Sequence, residues 1–511
     1  MSQAHSPPAP LTGAPLLLAG LLLGLANFMV VLDITIANVA VPHIAGGLAV
    51  SPSQGTWVIT SYSVAEAITV PLSGWLAQRF GAVKVFVFGL VGFGVCSIFC
   101  GIAPTFGLLV LGRVLQGLCG GPIMPMSQTL LLQIFPRERA PQALGIWSMT
   151  TVVGPIAGPI LGGAISDSIG WHWIFFINIP VAFGVAFLAY RTLIRRQEPT
   201  RRIPVDYIGL GLLIVWVAAL QIMLDTGKEH EWFSSPLIVV LAIVAVLGFA
   251  VFMIWELTAE NPIVNLRVFR HRGFSIGVLT LAITFGAFFG TVVLIPLWLQ
   301  TNMGYTATWA GYAAAFQGLL AVVMSPIVAS QVAKRDPRAL VSFGVFWMAG
   351  IAIWRTHFTT GADFLSIALP QLFLGFAMPF FFIPTQSIAL GAVDPEETAS
   401  AAGIANFLRV VAGAFATSLI NTGWENTANA KRTELVGALN QPQGALDRMI
   451  AQGFSPDQAL RQLESLVQTQ AVMLSTNEMF LITAVVFAIA ASTIWLAPRP
   501  KNAPAPGGGG H

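Results

Sequence analysis

Apolar runs of about twenty residues, the length that crosses a hydrocarbon core, recur from one end of this sequence to the other. Such runs leave little room for anything but membrane helices, because lipid-exposed backbone must satisfy its own hydrogen bonds. Composition agrees. Charged residues make up 9% of the 511 and apolar ones 55%, too little charge to clothe a chain of this length in water. Cys96, Cys100 and Cys119 all fall inside apolar runs, where they read as small packing residues and not as a disulfide framework. The net charge of +3 gives no sign of a nucleic-acid surface.

Breaking the runs at polar or Pro/Gly segments predicts spans near 15–41, 56–77, 84–103, 105–134, 140–165 and 172–194. Two more follow at 206–225 and 236–257. A second group of six lies near 274–299, 309–332, 339–356, 364–391, 398–420 and 477–497. The expected fold is all-α and integral to the membrane, about fourteen helices in a six, two, six arrangement. Its parts are a tail at 1–14, an N-terminal bundle at 15–194, a basic linker with two inserted helices at 195–273, a C-terminal bundle at 274–497 and a flexible tail at 498–511. The opening MSQAHSPPAPLTGAP has no basic stretch, and the run after it is too long for a cleaved leader, so it is expected to remain as span 1.

Basic residues orient the chain. The connections after spans 2, 4, 6, 8 and 10 hold Arg79 and Lys84; Arg137 and Arg139; Arg191, Arg195, Arg196, Arg201 and Arg202; Arg267, Arg270 and Arg272; Lys334, Arg335 and Arg338. Among the short connections on the other face only Lys228 is basic. Both termini are therefore expected in the cytoplasm, with the polar stretch 421–476 outside. There Ser455-Pro456-Asp457-Gln458 reads as a capping box heading a helix, so a small helical hairpin is expected, as a plain loop element or a docking surface.

Four ionisable residues interrupt the apolar runs: Asp33, Glu66, Arg113 and Arg409. At a helical rise of about 1.5 Å per residue, each lies roughly 12 to 16 Å from its nearer helix end, close to the midplane. An isolated charge there costs about 3 kcal/mol on insertion scales, so such groups face a bundle interior or a wet cavity and pair. A carboxylate in that setting can exchange a proton when its burial or its arginine neighbour changes. Asp33 is the first candidate for proton coupling and Glu66 the second. The alternative is that Asp33 and Arg113 form an ion pair that holds two helices in register.

Span 5 carries VGPIAGPILGG, with Gly154, Gly158 and Gly162 on one face, Gly163 beside them, and Pro155 and Pro159 adjacent. Small residues let a second helix approach, and the prolines bend the backbone. The string resembles the antiporter motif of the major facilitator superfamily. LDITIANVAVP around Asp33, GWLAQRFGAVK from Gly74 to Lys84, and LGRVLQG around Arg113, Gln116 and Gly117 also resemble that superfamily, in its fourteen-span drug:proton antiporter branch. WHWIFFINIP from Trp171 and LQIMLDTGKEHEWFSS around Asp225 are similar to the inner-membrane pumps of tripartite efflux systems. The resemblance implies two six-helix halves rocking about a central cavity, with Gly74, Arg79, Gly81 and Lys84 as a cytoplasmic loop gate. It also implies a bacterial inner-membrane location, partnership with a periplasmic membrane-fusion adaptor and an outer-membrane channel, and cargo of hydrophobic, weakly acidic drugs exchanged for protons. One departure is Gln78 before Arg79, where the pattern often has aspartate.

Span 12 reads PQLFLGFAMPFFFIPTQ and span 9 contributes Phe285, Phe288 and Phe289. With Phe376, Met378 and Phe380, these aromatic and thioether surfaces suit varied apolar cargo, and Gln116 could add a polar contact. Packing or lipid contact is the competing role for each phenylalanine. No G-x-x-x-x-G-K-[ST] string or zinc-ligand spacing occurs, so neither a nucleotide, a metal nor another cofactor is expected.

Overall fold

The computed structural model describes residues 11–197, 199–439 and 442–499. The expected tails at 1–14 and 498–511 lie almost wholly outside the described residues. Among the described residues, twelve helices are long and apolar enough to cross a membrane. The helix Ala140–Ser168, bent by 42° next to Pro155, makes a thirteenth. The remaining expected span, 56–77, is built from two shorter helices, Trp57–Thr69 and Ser73–Phe80. Its break falls at Val70-Pro71-Leu72, where proline has no N–H for the helical ladder.

The bundle has two ends, a basic face that carries the arginine-rich connections and a far face opposite it. Span 1 (Gly13–Gly47) packs along span 5 (Ala140–Ser168) in the N-terminal half. In the C-terminal half span 10 (Ala307–Val332) packs on span 12 (Phe364–Gly391), and span 9 (Arg272–Asn302) on span 13 (Thr398–Ala438). The halves meet through two helix pairs. Spans 5 and 10 run along one another, close at Gly145 against Ala329 and again at Gly311 against Ile160. Spans 2 and 13 touch toward the basic face, where a Cβ on Gly74 would collide with Ser400 and one on Gly403 would sit 3.0 Å from the Val70 carbonyl. The largest apolar cluster accordingly joins Ala67, Ile68, Val70 and Leu144 of the first half to Phe285, Phe382 and Ala402 of the second.

Spans 13 and 14 do not stop at membrane thickness. Thr398–Ala438 is 41 residues and Pro456–Thr493 is 38, each close to 60 Å at about 1.5 Å per residue, twice the hydrocarbon core. Their far ends form a helical hairpin with Pro442–Ala451 between them. Arg432 bridges Glu464 at 2.8 Å and Trp424 Nε1 donates to Thr476 at 2.9 Å. The capping box forms, with Ser455 accepting from the Gln458 amide while Gln458 Oε1 accepts from the Ser455 amide at 2.9 Å.

Candidate functional site

The four ionisable residues singled out in the sequence separate into two groups, while Arg355 of span 11 is buried apart from them and donates to Gln371 at 2.8 Å. The first lies inside the N-terminal half. Arg113, with no exposed surface, donates from Nη1 to Asp33 Oδ2 at 2.6 Å and to Gln116 Oε1 at 2.8 Å, and from Nε to the Val58 carbonyl at 2.9 Å. Asp33 Oδ1 accepts from Asn178 Nδ2 at 2.6 Å and from Gln116 Nε2 at 3.1 Å. Gln116 also donates to Ser97 at 2.9 Å, and the guanidinium lies over the Tyr62 ring at 4.2 Å. Spans 1, 2, 3, 4 and 6 thus each contribute a group. Val58 and Asn178 sit at the first turns of Trp57–Thr69 and Asn178–Leu193. Gln116, expected on a pocket wall, has its amide engaged by Arg113, Asp33 and Ser97.

The second group lies between the halves. Glu66, on span 2, is 3% exposed and its Oε1 has no hydrogen-bond partner. Arg409, on span 13, is within electrostatic reach of Glu66. Its Nη2 approaches the Met124 thioether at 3.2 Å, its guanidinium faces Phe285 at 5.1 Å and Trp147 at 5.7 Å, and its Nε has no partner. One turn away, Asn406 donates to Gln128 Oε1 at 3.0 Å. Met124 and Gln128 on span 4 thus oppose Arg409 and Asn406 on span 13, rung against rung. The sequence reading missed Gln128, Asn406 and Asn178, whose signal is an uncharged amide within an apolar run.

The span 5 motif presents its glycines to span 1. A Cβ on Gly154 or Gly158 would collide with Val31 or Thr35, one on Gly162 would lie 3.0 Å from Ile36, and Thr35 Oγ1 donates to the Gly154 carbonyl at 3.2 Å. The stretch of span 1 held so closely is the one that carries Asp33. Pro159 lies on the side toward Gly311 of span 10, whereas Gly163 has open space around it.

At the basic face the 74–84 loop is clasped by the linker that follows span 6. Arg79 donates to the Ile203 carbonyl, Trp75 Nε1 to the Pro204 carbonyl at 3.2 Å, and the Arg201 amide to the Gln78 carbonyl at 2.9 Å. Gln197 accepts from the Lys84 amide at 3.2 Å and donates to the Phe80 carbonyl at 3.3 Å. Gly81, at φ +90°, has Gln197 where a Cβ would project. The Lys84 side chain is exposed.

The expected aromatic wall divides. Phe285 packs with Phe289, Phe382 and Phe288 at 5.5 to 6.1 Å, beside Arg409. Phe376 and Phe380 pack instead on Phe343 and Trp347 of span 11 (Pro337–Arg355), side chains that are 45% and 37% exposed on the outer flank. Met378 is fully buried.

Residues 23–417 match the Major Facilitator Superfamily description. The chain belongs to the major facilitator superfamily. Several relatives are similar over nearly the whole length. The multidrug export protein EmrB of Escherichia coli K12 is 43% identical over 98% of this chain and 99% of its own. EmrB of Haemophilus influenzae is 44% identical over 96% and 97%, and the fatty acid resistance protein FarB of Neisseria gonorrhoeae 42% over 98% and 99%. Among solved structures, the proton:xylose symporter XylE matches with a TM-score of 0.59 at 15% identity, covering 96% of this chain and 97% of that one. The human organic anion transporter MFSD10 matches at 0.55 and 14%, covering 92% and 98%. Those two likenesses show the superfamily fold.

Proposed function

We propose that this protein is a proton-driven multidrug exporter of a bacterial inner membrane, carrying hydrophobic, weakly acidic compounds outward. The observation that carries the reading is Glu66, a buried carboxylate with an unpartnered oxygen, at the seam between the halves and within electrostatic reach of Arg409. A carboxylate so placed takes up a proton or gives it up as the seam opens and closes, because both its desolvation and its distance from the guanidinium change with that motion. Asp33, saturated by Arg113, Gln116 and Asn178, acts with them as the charge pair that ties span 1 to the rest of the first half. Phe285, Phe288 and Met124 around Arg409 supply an apolar wall with one fixed positive charge, suited to a lipophilic anion.

The basic face is cytoplasmic in this reading and both termini lie there, following the distribution of lysine and arginine. The hairpin then rises into the periplasm with Phe454, Leu460 and Leu466 exposed, a surface for a membrane-fusion adaptor that leads to an outer-membrane channel. The relatives named for multidrug export support the same assignment.

The test is efflux of radiolabelled naphthoate from proteoliposomes under an imposed pH gradient. Glu66→Gln should lower gradient-driven efflux by about 100-fold while leaving naphthoate binding in place. Efflux by Glu66→Gln at the parental rate would remove Glu66 from the coupling step, and a parent that binds without pumping would make the protein a receptor. Crosslinking from the hairpin in native membranes checks the adaptor; a pump that works alone would yield none.

A further inference from the structure

The motif around Asp225 has no part in the sites above, yet the chain there is held in a costly conformation. Glu231 and Trp232, consecutive and neither of them glycine, both have φ of +54°, where an L side chain crowds the backbone. Such strain persists only when surrounding contacts over-determine it, and here they do. Trp232 Nε1 donates to Thr422 Oγ1 at 3.0 Å, Lys228 pairs with Glu425 at 2.8 Å, and Ser418 donates to the Leu224 carbonyl at 3.0 Å. All three tether the far end of span 7 (Tyr207–Thr226) to span 13, in the C-terminal half. Deeper in the membrane Trp216 packs edge-on against Phe407 at 5.8 Å, again on span 13.

The other attachments of this helix run to the opposite half. Its basic end is continuous with the linker clasped to the 74–84 loop. Its far end reaches span 2 through Asp225, an exposed carboxylate that accepts from Gln221 at 3.2 Å and lies beside Thr60 of span 2. Span 7 is thus a brace that starts on one half and finishes on the other. Toward the basic face spans 2 and 13 touch each other directly; toward the far face the end of span 7 stands between them.

We infer that the far end of span 7 is the far-side gate of the transport path, fixed to span 13 and closing against span 2 at Thr60–Asp225. Span 7 also packs along span 2 deeper in the membrane; when the halves rock, the three tethers and the strained turn keep residues 224–232 moving with span 13, so at this end the Thr60–Asp225 contact is the one that parts. Asp225 and Thr60 are positioning residues for transport, acting through the gap they open or shut. The inference rests on the export cycle proposed above.

Two cysteine pairs separate the moving contact from the fixed one, in a background with Cys96, Cys100 and Cys119 replaced by serine that still pumps naphthoate. Thr60→Cys with Asp225→Cys should form a disulfide under mild oxidant and lose about tenfold or more of gradient-driven efflux, recovering on reduction. Lys228→Cys with Glu425→Cys, on the tethered side, should also crosslink but stay within about twofold of its reduced rate. The reduced form of each pair reports on folding. Unimpaired efflux through a closed 60–225 disulfide would overturn the gate, as would failure of that pair to crosslink or equal inhibition by both pairs. Loss of pumping by the parent would instead strike the export reading itself.

Discussion

Arg113 and Arg409 are both buried, and their partners differ. Arg113 is held by a carboxylate, an amide and a backbone carbonyl, all within one half, with its Nη2 left over. Arg409 meets a thioether and two aromatic faces, with its Nε left over, at the junction of the halves. A guanidinium ion-paired to a buried carboxylate inside one bundle is costly to disturb, because removing it strands that carboxylate. One held mainly by rings and polarizable sulfur can change partners cheaply, which is what a group handling protons and anionic cargo needs.

The contrast breaks if the two respond alike to mutation. The largest effect is expected for Arg113→Leu, which strands Asp33 without its charge partner and should cost about 3–5 kcal/mol of folded stability. Thermal unfolding in detergent would read it as a large drop in melting temperature, with Arg409→Leu staying near the parent; equal drops would mean that both arginines are structural. Arg409→Lys comes next. It keeps the charge but loses the planar face set against Phe285 and Trp147, and naphthoate efflux should fall by about tenfold with little change in unfolding temperature. Smallest is the aromatic comparison. Phe285→Leu, beside Arg409, should raise the naphthoate KM several-fold, whereas Phe376→Leu, on the outer flank against span 11, should leave it within about twofold. Matching shifts would show that the two aromatic groups serve one surface.

Much of the architecture was legible in the sequence because the bilayer imposes a single length on every crossing. The partnership of Asp33 with Arg113 was legible too, since charges in apolar runs are rare enough to be matched by elimination. Most of what escaped notice was uncharged, buried Arg355 near the end of its span being an exception. Asn178, Gln128 and Asn406 differ little from ordinary helix residues until a neighbour from another span faces them. Gln116 looked like a pocket group because its two charged partners lie on different helices, and nothing in spacing shows that they exhaust its amide. Span 12, with three internal prolines, has no steady face, so Phe376 and Phe380 could not be told from residues turned inward.

The unbroken run of spans 13 and 14 from the lipid into the hairpin makes the second half a lever. Helices of this kind bend little, so rotation at the seam arrives undiminished at the tip. With an arm of about 30 Å beyond the bilayer, a tilt of about ten degrees would carry the hairpin sideways by about 5 Å. Any protein seated there would be pushed once per turnover, and could time its own opening to the stroke beneath it.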